Sequence, residues 1–122
     1  MTSASRAAKL SRTTRGRRWP PSKARLRQLI DEATVDAYND SEQRVGFLTM
    51  IEDNLELPFE TKILGLRVTV ERVDMIASEE IVASCRSAGK RQSIPVIDLP
   101  LLKPPPKGAE WIEAYRHWAR GR

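Results

Sequence analysis

The chain has 122 residues, 40% hydrophobic and 30% charged, with 21 Lys and Arg against 16 Asp and Glu and a formal charge of +5. That length allows one small domain with a modest core, and no run of about 18 apolar residues is present to cross a membrane. One cysteine, Cys85, excludes an internal disulfide framework and a cysteine-based zinc site, and one histidine, His117, leaves a zinc hydrolase or a His-dependent triad without its parts.

The positive total suggests nucleic acid until the charge is placed along the chain. Residues 1–30 carry nine bases and no acid, residues 31–80 carry thirteen acids against four bases, and residues 81–122 carry eight bases against three acids. A basic arm is followed by an acidic stretch, densest over residues 31–60, where nine acids face Arg44 alone.

Residues 1–21 are rich in Ser, Thr, Ala and Arg, lack apolar periodicity, and end in Trp19-Pro20-Pro21. They are read as a disordered basic arm, because too few apolar groups are present to offset the entropy of ordering. The arm has no apolar core of a secretory signal. Its composition fits a solvated tail, an organellar transit peptide, or a phosphate-seeking segment with Trp19 as a stacking group.

From Ser22, the expected N-cap, Leu26, Leu29, Ile30, Ala33 and Ala37 recur at helical spacing. Asn39 is expected to end this helix. Asp40 is expected to cap a second one with Gln43 completing a capping-box-like pair, and Val45, Leu48, Ile51 and Leu55 to form its buried side up to Pro58. The two should pack as a hairpin. Beyond Pro58 the period shifts toward two. Strands are expected over 59–64, around Val68 and Val70, around Ile81, Ala83 and Cys85, and over 92–98, with Pro95 marking an edge or a bulge. Pro100–Pro106 reads as an extended connector. A last helix over 109–119 places Trp111, Ile112, Tyr115 and Trp118 on one face. The fold class is therefore α+β: an N-terminal helical hairpin, a four-stranded antiparallel meander or small partly open barrel, and a C-terminal helix.

The first helix carries Lys23, Arg25 and Arg27 at its positive end and Glu32 and Asp36 toward its negative end. Glu32, Asp36 and Asp40 also follow one another at four-residue spacing, where each like-charge pair costs about 0.2–0.5 kcal/mol on a helix. Conflicts between local sequence and fold often mark functional sites. A divalent cation would relieve this one, and hard oxygen donors point to calcium first and magnesium second. Asp36, Asp40 and Glu42 surround one bend, and Glu52, Asp53 and Glu56 form a second acidic group. The spacing is not that of an EF-hand: counted from Asp36, Ser41 stands at the sixth position and Phe47 at the twelfth. Read structurally, Asp40 and Glu42 also serve as cap and first-turn acids, while Glu52 and Glu56 could pair with the arm or face water.

Val35-Asp36-Ala37-Tyr38, Glu42-Gln43, Gly46-Phe47 and the run Ile51-Glu52-Asp53-Asn54-Leu55-Glu56-Leu57-Pro58-Phe59 resemble the small prokaryotic calcium-binding proteins first described in cyanobacteria. So do Leu64-Gly65, Val68, Val70, Asp98-Leu99-Pro100 and the closing Glu110-Trp111-Ile112-Glu113-Ala114-Tyr115-Arg116-His117-Trp118. The resemblance covers roughly residues 28 to 118. It implies a single cytoplasmic domain, taken over 22–122, without enzymatic activity, that binds calcium as a buffer or sensor through surface carboxylates. The ligand positions it implies are the inter-helix group Asp36, Asp40 and Glu42 and the group Glu52, Asp53 and Glu56. Glu32 joins them from the residue-level argument, with Mg2+ as the weaker alternative ion. The chain departs from the family picture in its basic arm and positive total. The alternative function is a nucleic-acid-associated module acting through the arm, with nucleic acid or another acidic surface meeting residues 6–27. A monomer with no membrane partner is expected. Cys85 and His117 could form a nucleophile–base pair only if the thiol were accessible, and its place on the apolar side of a strand argues for a buried one.

Overall fold

The computed structural model describes residues 19–121. Residues 1–18, which hold most of the expected arm, lie outside the described residues. Helix α1 (Lys23–Ala33) starts where the sequence indicates, with the Ser22 hydroxyl accepting the Arg25 amide at 3.1 Å. It stops earlier than expected. The amide and hydroxyl of Thr34 both donate to the Ile30 carbonyl, at 3.0 and 2.7 Å, and such back-bonding by a β-branched residue competes with further helix. Ala37 is thus not part of the α1 stripe, and the chain reverses through Asp36 at φ 62°.

Helix α2 (Asp40–Asn54) is capped by Asn39, whose side chain accepts the Glu42 amide at 2.8 Å. The expected Asp40–Gln43 pair is therefore one residue late. Asn39 takes the cap, Asp40 becomes a first-turn acid, and the Glu42 carboxylate reaches back to accept the Tyr38 amide at 2.7 Å. The buried stripe is Phe47, Ile51 and Leu55, while Val45, expected inside, is 50% exposed. The helices meet at Gly46, which lies against the Ala33 backbone.

Strands β1 (Phe59–Ile63), β2 (Leu66–Met75), β3 (Ile81–Ser87) and β4 (Lys90–Pro95) pair antiparallel in the order β1-β2-β3-β4. The sheet is an open meander, not a closed barrel. Val70 pairs with Cys85 and Arg72 with Ser84, so Glu71 is an extra residue on β2. That bulge resets the alternation, which is why Val70 and Val73, three apart, are both buried. Pro95 ends the edge strand, where its missing donor costs no ladder bond. The expected fourth strand over 92–98 stops there, and Val96–Asp98 forms a single 3₁₀ turn.

Helix α3 (Ala109–Arg120) buries Trp111, Ile112, Ala114, Tyr115 and Trp118. Phe47 sits 5.6 Å from the Tyr115 ring and 5.3 Å from the Trp118 ring, so an aromatic cluster joins α2 to α3. Arg116, a charged residue on the same helix, is buried. Its guanidinium donates to the Val96 carbonyl at 3.1 Å, to the Leu99 carbonyl, and to Glu113 at 2.7 Å, binding the 3₁₀ turn to α3. One core, including Leu29, Phe47, Ile51, Val70, Ile81 and Ile112, lies between the helices and one sheet face.

Candidate metal-binding surface

All seven carboxylates singled out by sequence are exposed. They fall into two groups at the ends of α2. Asp40 and Asp53 are thirteen residues apart on one helix, about 20 Å at the helical rise, so the groups cannot share one ion.

At the first end, Glu32 occupies the last turn of α1, Asp36 the left-handed position of the reversal, and Asp40 and Glu42 the first turn of α2. The early end of α1 dissolves the expected like-charge ladder, because Asp36 is no longer one helical turn from Glu32. Asp40 and Glu42 instead lie where the helix dipole favours anions. Arg25, at the unfavourable end of α1, pairs with Glu110 in the first turn of α3 at 2.9 Å. A tertiary contact therefore answers that local conflict. Glu79, from the β2–β3 connection, reaches the same end: it accepts from the Ser41 hydroxyl at 2.6 Å and lies 3.8 Å from Arg44. Its approach joins residues 38 apart in sequence, and no local pattern announces it.

At the second end, Glu52 and Asp53 project from the last turns of α2. Glu56 is held by the connector before α3: its amide donates to the Lys107 carbonyl at 2.8 Å, and its carboxylate accepts the Lys107 amide at 3.4 Å. The crossing requires Gly108 at φ 86°, since any Cβ there would collide with the Asn54 carbonyl group. Glu52 also lines a shallow depression with Leu57, Arg72, Val73 and Asp74. Asp74 comes from β2 and was not signalled by the acidic run.

Exposed carboxylate oxygens are the donor chemistry of a hard cation. Among the described residues, Glu32, Asp36, Glu52 and Asp53 make no hydrogen bond or ion pair with another side chain. Their oxygens are open to an ion. No three His, Cys, Asp or Glu side chains converge among the described residues. The donors suit calcium in kind, as hard oxygens, while the described residues do not gather three of them into a cage. Elsewhere, Glu71 on the outer sheet face is held below the usual carboxylate range by its hydrogen bond from Arg86. Burial pushes the Cys85 thiol up, away from the nucleophilic thiolate, and burial raises the Tyr115 phenol likewise. His117 lies exposed in the last turn of α3.

A family model described as calcium binding matches residues 27–119. Among solved structures, a calcium-binding protein in its calcium-binding form superposes with a TM-score of 0.63 at 19% identity, covering 82% of this chain and 93% of that one. At that identity the likeness is one of fold. No curated protein matches the chain. Among the described residues no helix is long and apolar enough to cross a membrane.

Proposed function

The chain belongs to the calcium-binding family whose model spans residues 27–119, and on that premise we propose that it is a non-enzymatic calcium buffer using the carboxylates at the two ends of α2. Glu32, Asp36, Asp40 and Glu42 would hold one ion, and Glu52, Asp53 and Glu56 a second. Backbone carbonyls and water would complete the six to eight oxygens that calcium takes. The observation that carries this reading is the open set Glu32, Asp36, Glu52 and Asp53 at those two ends.

Without a closed cage, affinity should fall near the weak end for calcium proteins, at Kd values of about 10⁻⁴ to 10⁻³ M. Magnesium, which dehydrates reluctantly and demands octahedral geometry, should bind more weakly still. A buffer is favoured over a sensor because α1 and α2 are closely packed through Gly46 and Ala33, which opposes a helix-opening response. The buried Cys85 offers no nucleophile, in keeping with binding alone. Cytoplasmic placement accords with one free cysteine.

Calorimetry with calcium and with magnesium tests the reading. Calcium should give a saturable heat, and Asp36→Asn with Asp40→Asn should remove one part of it while Glu52→Gln with Asp53→Asn removes the other. No calcium heat at millimolar ion, or full binding by both double variants, would overturn it.

A further inference from the structure

In an antiparallel meander, alternate turns lie at the same end of the sheet. The β1–β2 turn (Leu64–Gly65) and the β3–β4 turn (Ala88–Gly89) therefore share one end. The β2–β3 connection with Glu79, and the end of α2 that feeds β1, belong to the other. The domain is polar along the sheet: acidic groups gather at one end, and Lys62, Arg67, Arg86, Lys90 and Arg91 at the other, all exposed.

Two features of the basic end work against folding. Leu64 is 97% exposed at φ 52°, a left-handed turn position that favours Asn or Gly, and Leu66 beside it is 65% exposed. Lys62 also stands directly opposite Arg67, and Arg86 directly opposite Arg91, where like charges are destabilising. Glu60 pairs with Arg67, and Glu71 with Arg86 and Arg91. Five cations thus face two carboxylates, and the end stays positive.

We propose that these two hairpin tips form a docking surface for an anionic phospholipid bilayer, with Leu64 and Leu66 entering the interface and the five cations facing lipid phosphates. One apolar tip, with a basic tip beside it, is what a lipid interface rewards. A nucleic acid would use the cations but leave both leucines in water. A second copy of the chain would cover the leucines but bring two basic ends together. The acidic end points away, so the bilayer field orients the domain as well as attracting it. The expectation of no membrane partner came from the lack of a spanning segment, which does not bear on surface association. The proposal does not depend on the calcium sites.

The test uses the full chain and vesicles of phosphatidylcholine with about 30% phosphatidylserine, at about 0.15 M salt. Six bases in residues 1–18 attract such vesicles in every variant alike, so the leucines carry the discrimination. Replacing both, Leu64→Ser and Leu66→Ser, should lower partitioning at least about tenfold. Lys90→Ser should lower it about fivefold, the factor carried by one basic residue near anionic headgroups. Leu64→Trp should bind, and its emission, taken as the difference from the parent chain with Trp19, Trp111 and Trp118, should shift to the blue and be quenched by brominated lipid. Unchanged partitioning of the double serine variant, or unshifted Leu64→Trp emission on bound protein, would overturn the proposal. So would binding to poly(U) without binding to vesicles, which would make nucleic acid the occupant.

Discussion

Replacing Gly46 by alanine sets two effects of opposite sign against each other. Alanine improves an interior helix position by about 1 kcal/mol through propensity alone. The added Cβ, however, would stand 3.2 Å from the Ala33 carbonyl carbon and nearer still to its oxygen, inside the 3.0 Å that real Cβ atoms keep. The obstacle is backbone, so no side chain can swing away, and α1 and α2 must part by roughly 1 Å to restore ordinary contact. Parting them loosens Leu29 and Phe47, both fully buried at this junction, and overpacking of this kind costs about 1–3 kcal/mol or more. The steric effect should win, with a net loss of up to about 2 kcal/mol. For a domain near 100 residues each kcal/mol corresponds to about 4–8 °C in Tm, so thermal unfolding followed by circular dichroism resolves the change. Because Asp36, Asp40 and Glu42 ride on the same junction, calcium affinity at that end should fall while Glu52 and Asp53 keep theirs. A Tm at or above wild type would refute the close-packing argument, since propensity would then have prevailed.

Asn39→Ala should cost about 1 kcal/mol by leaving the Glu42 amide without its cap, whereas Asp40→Ala should cost less; the reverse order in urea denaturation would contradict the cap assignment. Arg116→Ala strands the Val96 and Leu99 carbonyls and Glu113 in a buried setting and should destabilise by about 3–5 kcal/mol, which equilibrium unfolding would show. Calcium at ten times its Kd should add about 1.4 kcal/mol per site to the folded state, raising Tm by several degrees, and a Tm indifferent to calcium would count against the carboxylate sites. Glu71 is held low in the folded state, so its contribution is present above about pH 4.5 and fades as pH falls below it; Glu71→Gln should flatten that part of the acid profile. Cys85 and Tyr115 are raised by burial, so their neutral forms support folding until pH rises past their usual values. Cys85 should accordingly react with a thiol reagent only on unfolding.

Local patterns made most of the elements legible. The α1 stripe with its Ser22 cap, the period-two stretches after Pro58, and the aromatic face of the last helix each report a burial pattern that repeats within a few residues. Boundaries failed where a side chain competed for the backbone. Thr34 ends α1 early, and Asn39 takes the cap in place of Asp40. The acids of the candidate sites were equally visible, because charge is a property of composition. Their arrangement was not, since the ladder of Glu32, Asp36 and Asp40 depended on a helix that stops at Ala33.

By itself the sequence determined the element types, the α+β class, and the separation of a basic arm from an acidic stretch, because these follow from local periodicity and charge. Only the tertiary structure decided which groups meet. Arg25 finds Glu110, Glu79 comes to α2, Arg116 turns inward to hold the 3₁₀ turn, and the Glu71 bulge brings Val70 and Val73 to one face. It also placed two basic hairpin tips at one end of the sheet and the acidic groups of α2 and Glu79 away from them. Such pairings depend on strand order and helix docking, which join residues tens of positions apart and leave no local trace.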